Sequence, residues 1–395
     1  MPQQTIPDIP EEAVAEQAVH PDELYERILT GEGLSILDVR MPEAAVMQPP
    51  QFGERARIVS RPFAPFLDAR EVAAALPEKE KTLVVCTTSR TSRAALVALR
   101  DVGARVEYLL GGTRAWDQFM DVRDVFRSDT GAVVQVARPG RGDLSFVILA
   151  GGEAAVIDPL RDVEAYREVV GGENASLAWV LDTHAHADHI SGGPRLAAEA
   201  GVPYYLHPYD AIHPVDMLPA KIPFCALDDG KVLDVGGVRC RAIWFPGHTL
   251  GMVMLSFSLE EQHCLLTGDG VFLDSIGRPD LGGRAEAWAG LLFESVSERL
   301  PNAVNAQSLI LPGHFATFAS GEGGIYCAPY HKVRRENPWL ETGTREAYIS
   351  RVVANLAQVP PAYVEMKRIN AGLKHVTEET ALDLEAGPNL CAVSG

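Results

Sequence analysis

Thr183-His184-Ala185-His186-Ala187-Asp188-His189 packs three histidines and an aspartate into six consecutive positions. It follows Leu177-Ala178-Trp179-Val180-Leu181, an apolar run that reads as a buried strand. Imidazole and carboxylate are metal ligands, and the small spacers Ala185 and Ala187 leave room for the rings to turn inward on one ion. The competing reading is a polar loop with Asp188 as a helix cap. A ligand density this high favours the metal site.

Three further candidates follow, each at the end of an apolar strand. Ile243-Trp244-Phe245-Pro246-Gly247-His248 presents His248, Cys264-Leu265-Leu266-Thr267-Gly268-Asp269 presents Asp269, and Leu309-Ile310-Leu311-Pro312-Gly313-His314 presents His314. A lone histidine after Pro-Gly means little. Three strand-end ligands downstream of the cluster imply strand tips converging on one edge of a sheet sandwich. Upstream, short apolar runs at 132–136, 144–149 and 153–158 are joined by Gly-rich turns, as in packed antiparallel sheets.

The first third has a different rhythm. Strand patterns at 34–40, 81–86 and 106–110 alternate with helical patterns at 20–29, 69–76 and 92–102. That alternation means a parallel sheet with helices on both faces. Cys86 lies where the second strand meets a helix, in Cys86-Thr87-Thr88-Ser89-Arg90-Thr91-Ser92. Backbone N–H groups and the positive end of the helix should face the sulfur, with Arg90 or Arg93 adding charge, an environment that favours a thiolate nucleophile. Residues 42–56 read as a loop, and 117–130 as a charged connector.

Two family resemblances rest on these motifs. Asp38-Val39-Arg40, the Cys86 loop and Leu110-Gly111-Gly112-Thr113-Arg114-Ala115-Trp116 resemble a rhodanese domain in order and spacing. The resemblance implies sulfane sulfur carried as a persulfide on Cys86, with Arg90 and Ser92 binding substrate. The loop departs from the usual C-R-S-G-x-R-S at Ser89 and Thr91, and the usual G-H-I-P-G-A stretch after the first strand is missing. From about 131 to 320, the ordered set His184, His186, Asp188, His189, His248, Asp269 and His314 resembles the metallo-β-lactamase superfamily, implying an αββα sandwich. The expected architecture is therefore a flexible lead-in at 1–19, an α/β rhodanese domain at 20–125, a sandwich domain at 131–365 and a C-terminal tail at 366–395, where Cys391 reads as incidental.

Within that superfamily, Gly277-Arg278-Pro279-Asp280, Glu336-Asn337-Pro338-Trp339-Leu340 and Val359-Pro360-Pro361-Ala362-Tyr363 are similar to the persulfide dioxygenase branch. That resemblance implies one Fe(II) held by His184, His248 and Asp269, a facial triad with open positions for substrate and O2. His186, Asp188, His189 and His314 then support those ligands, and Arg278 holds an anionic group of the substrate, unless it is simply paired with Asp280. The reaction implied is oxidation of a low-molecular-weight persulfide such as glutathione persulfide to sulfite and thiol, coupled to sulfur transfer with thiosulfate or sulfite. The complete ligand set also admits two Zn ions in a hydrolase of the glyoxalase II or lactonase type. A non-redox sulfur carrier is a third reading.

Composition sets the outer bounds. The 395 residues carry 53 acids against 35 bases, a formal net charge of −18, which repels a phosphate backbone and disfavours nucleic acid as partner. Six cysteines, at 86, 225, 240, 264, 327 and 391, show no paired spacing and point to a reducing compartment. The acidic, Pro-rich start lacks a signal-peptide pattern and no apolar run reaches membrane-span length, so a cytoplasmic protein is the expectation, with a homo-oligomer as the candidate assembly.

Overall fold

The computed structural model describes residues 6–47, 51–63, 68–386 and 389–393. The first five strands form one parallel sheet, in the order β1-β5-β4-β2-β3. They are β1 (Ala18–Val19), β2 (Ser35–Asp38), β3 (Arg57–Ser60), β4 (Thr82–Val85) and β5 (Val106–Leu109). The expected lead-in is partly structured. Residues 1–5 lie outside the described residues, but Glu11–Gln17 is a 3-10 helix that buries Val14, and β1 adds a strand beside β5. The expected loop at 42–56 contains the helix Pro42–Met47, while 48–50 lie outside the described residues.

The remaining strands build two sheets. The first runs β12-β11-β10-β9-β8-β7-β6 and the second β13 through β18 in sequence order. The first contains β6 (Asp121–Arg127), β7 (Gly131–Arg138), β8 (Asp143–Ala150), β9 (Glu153–Ile157), β10 (Ser176–Leu181), β11 (Tyr204–Leu206) and β12 (Cys225–Ala226). The second contains β13 (Val232–Val235), β14 (Val238–Trp244), β15 (Val253–Leu259), β16 (Gln262–Gly268), β17 (Leu309–Pro312) and β18 (Ala328–Pro329). Residues 117–130, read as a connector, contain the end of the helix Gly112–Gln118 and β6. Strand β6 pairs antiparallel with β7 at the sheet edge, where Asp124 and Arg127 are exposed and the half-buried Asp121 and Arg123 pair with each other.

The central strands β7, β8, β9 and β16 are buried almost throughout because both of their faces are covered. Phe146, Ile157 and Leu181 pack inward against Cys240, Leu255 and Leu266 of the opposing sheet. Val134, Val147 and Val180 face outward onto Tyr166 of helix Glu164–Gly172 and Leu196 of helix Gly193–Ala200. The second sheet turns Met254, Leu265 and Ile310 onto helices Ala285–Glu294 and Arg345–Ala354. The layers are therefore αββα, following an α/β domain built on the five-stranded parallel sheet.

An aromatic seam joins the two parts. Tyr25 lies 6.3 Å from Trp116 and 6.1 Å from Phe318, and Trp116 stacks on Phe119 at 6.1 Å. The hydroxyl oxygens of Tyr25 and Tyr326 are 3.3 Å apart. The Gly-rich stretch 320–324, to which no role is assigned from sequence, is the turn that delivers Tyr326. Gly323 and Gly324 take φ of 59° and 84°, and the Gly324 carbonyl accepts from Gln135 Nε2.

Candidate metal centre

The strand ends meet as the spacing requires. The loop after β10 carries His184, His186, Asp188 and His189; the turns after β14, β16 and β17 carry His248, Asp269 and His314. Asp143 at the start of β8 and Asp158 after β9 join them. An isolated antiparallel bridge between Asp143 and His314 ties the two sheets together at this edge. All of these side chains are buried. Their ligating atoms fall into three groups: His184, His248 and Asp269; Asp143, Asp188, His189 and His314; and Asp158, Asp182 and His186.

The first group is built to hold a cation. Thr183 Oγ1 donates to Asp158 Oδ2, so its oxygen is left to accept from His184 Nδ1, 3.0 Å away. His184 Nδ1 therefore carries the proton and Nε2 a free lone pair. His248 Nδ1 lies 2.9 Å from the Arg278 carbonyl, which can only accept, and this fixes the same tautomer. Burial, then the neighbouring His186 and His248, push His184 well below its ordinary imidazole value, and burial pushes His248 down to about 4. Both rings are thus neutral ligands. Their Nε2 atoms lie 3.7 and 3.4 Å from Asp269 Oδ2. These three atoms are buried and have no hydrogen-bond partner. Three converging unpartnered lone pairs are expensive unless a cation satisfies them, so the residues fit a metal ion.

The other histidines are engaged with carboxylates. His186 Nε2 lies 3.1 Å from Asp158 Oδ1. Burial works against its cation, but Asp158 and Asp182 outweigh burial and raise it to about 9. His314 places Nδ1 2.6 Å from Asp269 Oδ1 and Nε2 2.9 Å from Asp188 Oδ2 and 3.1 Å from Asp143 Oδ1. Against burial, Asp269, Asp188 and Asp143 hold its imidazole well above the ordinary value. Arg138 pairs with Asp143 through two short contacts to Oδ2.

Several residues of the centre were not singled out from sequence. Asp210 fixes both ligand loops: Oδ2 accepts from the Ala185 N–H and Thr249 Oγ1, and Oδ1 from the Gly251 N–H. Lys367, buried on helix Pro361–Asn370, donates to the Ala185 carbonyl. Asn389 Nδ2 donates to both Asp143 and Asp188. Asp158 and Asp210 follow strand ends, the same signal that exposed His248 and Asp269. Lys367 and Asn389 carry no local signal.

Two sequence expectations need correction here. The segment 366–395 is not a loose tail. It includes the last turns of helix Pro361–Asn370 and the helix Glu378–Leu384, and it fully buries Glu385 and Cys391 at the centre; residues 387–388 and 394–395 lie outside the described residues. Its patterning looks weak because the chain there packs by backbone bonds and single buried groups. Nor is Arg278 available to an anionic substrate. Its guanidinium is buried, pairs bidentately with Asp280, and donates to the carbonyls of Leu390 and Ala357. It contributes through its own carbonyl, which orients His248.

In the N-terminal domain, Cys86 is buried directly after β4. The Ser92 N–H donates to its sulfur at 3.3 Å, with Ser92 Oγ 3.5 Å away. Ser89, where the resembled loop has glycine, takes the left-handed φ of 63°. The turn geometry is kept at the cost of strain in a non-glycine residue. The Arg90 side chain is 62% exposed and lies 3.8 Å from Asp8. Ser92, not Arg90, is therefore the loop residue on the sulfur.

Comparison with known proteins agrees with this geometry. The family model of the metallo-beta-lactamase superfamily matches residues 138–322, and that of the rhodanese-like domain residues 20–119. An uncharacterized protein of Mycobacterium leprae is 31% identical over 211 residues, 49% of this chain and 89% of that protein. The chain belongs to the metallo-beta-lactamase superfamily. Its N-terminal part is a rhodanese-like domain. A second relative, named hydroxyacylglutathione hydrolase in Acidiphilium cryptum, is 33% identical over 187 residues, 47% of this chain and 69% of that protein. Among solved structures, the metallo-beta-lactamase from Staphylococcus aureus superposes with a TM-score of 0.51 at 23% identity, covering 64% of this chain and 72% of that one, and shares the fold. No helix among the described residues is long and apolar enough to cross a membrane.

Proposed function

We propose that this superfamily member is an iron-dependent persulfide dioxygenase with a sulfur-carrying rhodanese domain. Its substrate is a low-molecular-weight persulfide, glutathione persulfide in the first instance. The overall change balances as persulfide, O2 and water giving thiol, sulfite and two protons. The observation that carries the reading is the trio His184 Nε2, His248 Nε2 and Asp269 Oδ2, unpartnered and converging while the other histidines are turned to carboxylates. Two imidazoles and one carboxylate suit a single Fe(II) with coordination positions left open. Bound there, iron would supply a common site for the thiolate sulfur and O2 and the electrons for oxygen activation.

The chain's own residues do the rest. Thr183 and the Arg278 carbonyl hold the two imidazoles in the ligating tautomer. Lys367, its pKa lowered by burial, places its Nζ against the Ala185 carbonyl beside the centre and offers a hydrogen-bond donor to the persulfide. The acidic groups gathered around His314 and His186 are each matched by a cationic or donor partner, which lessens their repulsion of an anion at the centre. In the other domain, Cys86 receives and releases sulfane sulfur within a loop whose Ser92 N–H points at the sulfur. Fusion raises the effective concentration of one domain's sulfur at the other.

The test is oxygen uptake by the iron-loaded full chain. Glutathione persulfide should be consumed with matching loss of O2 and appearance of sulfite. No uptake above the metal-free protein would refute the proposal. A zinc hydrolase of the glyoxalase II or lactonase type has its own support: His186 Nδ1, Asp188 Oδ1 and His189 Nε2 are also buried without partners, and a relative carries the name hydroxyacylglutathione hydrolase. Two zinc ions per chain with thioester cleavage would establish that reading instead.

A further inference from the structure

Beside the proposed iron ligands lies a second ligand group: Asp143, Asp188, His189 and His314. It is close to complete. His189 Nε2 and Asp188 Oδ1 are buried without a hydrogen-bond partner. Yet the other oxygens of the group are occupied by the protein itself. Asp188 Oδ2 has His314 Nε2 at 2.9 Å, Asn389 Nδ2 at 2.9 Å and His189 Nδ1 at 3.1 Å. Asp143 Oδ1 has Asn389 Nδ2 at 3.0 Å and His314 Nε2 at 3.1 Å.

The Asn389 amide cannot turn aside. Its Oδ1 accepts the Cys391 N–H at 2.8 Å, so the NH2 end must face the carboxylates. Flipping the amide would set an oxygen against two carboxylate oxygens and break that bond. With one proton for each oxygen, its donors are fully committed. The backbone carrying it is held independently of that side chain. The Leu390 N–H donates to Tyr363 Oη, the Arg278 N–H to the Cys391 carbonyl, and the Val393 N–H to the Ile276 carbonyl, while Ser275 Oγ donates to the Val393 carbonyl.

We infer that Asn389 is a specificity-determining residue for metal number. Its amide stands on the oxygens a second divalent cation would need, and so closes a latent second site. The ligand residues of a dinuclear centre are retained, and one neutral side chain from the C-terminal segment decides that the centre takes a single ion. This rests on the one-metal reading above and adds the device that enforces it. Removing the amide takes one donor from Asp188 Oδ2 and one from Asp143 Oδ1, leaving these oxygens only to the imidazoles of His314 and His189, themselves members of the ligand group, beside the unpartnered His189 Nε2 and Asp188 Oδ1.

Metal stoichiometry tests this without reference to turnover. The full-length chain is stripped, titrated anaerobically with Zn2+ or Mn2+, and analysed by calorimetry and elemental analysis. Wild type should bind one ion per chain. Asn389→Ala removes the amide without adding a ligand and should bind two. With Mn2+, the isolated six-line resonance of wild type should broaden by spin coupling in the variant. Asn389→Asp, which keeps the side-chain volume and adds a carboxylate, should also bind two and serves if the alanine variant does not fold. One ion in wild type and in a folded variant overturns the gatekeeping role and leaves the one-metal reading intact. Two ions in wild type overturn both.

Discussion

Thr183 Oγ1 gives its proton to Asp158 Oδ2 at 2.8 Å and is thereby left to receive the Nδ1 proton of His184. A hydroxyl one residue before the ligand thus decides which imidazole nitrogen faces the metal. Thr183→Val keeps the shape and removes the relay. Loss of such an orienting partner costs roughly 10–100-fold in metal affinity. Competition against a chromophoric chelator should show that loss with little change in the folded circular dichroism spectrum. Unchanged affinity would mean that the tautomer is set elsewhere.

His186 offers a pH signature. Its value rises to about 9 because Asp158 and Asp182 outweigh burial, against an ordinary value of 6.5. The folded state binds this proton more tightly than the unfolded one. Its contribution to stability is therefore fully present below about pH 6.5 and is lost as pH rises through about 9. The gap in unfolding free energy between metal-free wild type and His186→Gln should be widest near pH 6 and narrow toward pH 9.5. A gap that widens with rising pH would contradict the ion-pair role.

The two halves of the proposed reaction separate by mutation. Asp269→Ala removes the only carboxylate of the trio and should abolish oxygen consumption. Cys86→Ser should spare it when glutathione persulfide is supplied directly, while abolishing sulfur transfer from thiosulfate. Equal loss of oxygen consumption in both variants would make the two sites one catalytic unit.

Arg278 should behave as a structural residue. It is buried, bidentate to Asp280 and bonded to two carbonyls. Arg278→Met strands those partners, and breaking a buried pair from one side costs about 3–5 kcal/mol. Denaturant unfolding should record a loss of that order, with metal retention falling because the Arg278 carbonyl orients His248. A variant of wild-type stability with only a raised KM would restore the substrate-binding role expected from sequence.

Much of this was legible in the chain. The seven candidate ligands could be picked out as a set because apolar strands announce where they emerge, and a strand end is a local property; the trio His184, His248 and Asp269 was marked within that set only by the family resemblance. Cys86 was legible for the same reason. The rest is not local. Lys367 and Asn389 come from segments with modest patterning, and they reach the centre only because the chain folds back across it. Arg278 shows the opposite failure: a motif marked it as important, but whether a guanidinium meets a substrate or a neighbouring carboxylate depends on where Asp280, Ala357 and Leu390 fall. The edge strand β6 was hidden because its charges mimic a linker, while its backbone pairs with β7 along its length.

The Tyr25–Trp116–Phe318 contact bears on how the protein can be handled and how it can evolve. Tyr25 and Trp116 are essentially inaccessible, and Phe318 nearly so. Cutting the chain between the two homologous regions would strand several large rings in water on each fragment. The halves are therefore expected to melt in one calorimetric transition, and each fragment alone to aggregate. Separating the two regions would therefore require polar replacements on both sides of the seam, even though each region resembles a free-standing module.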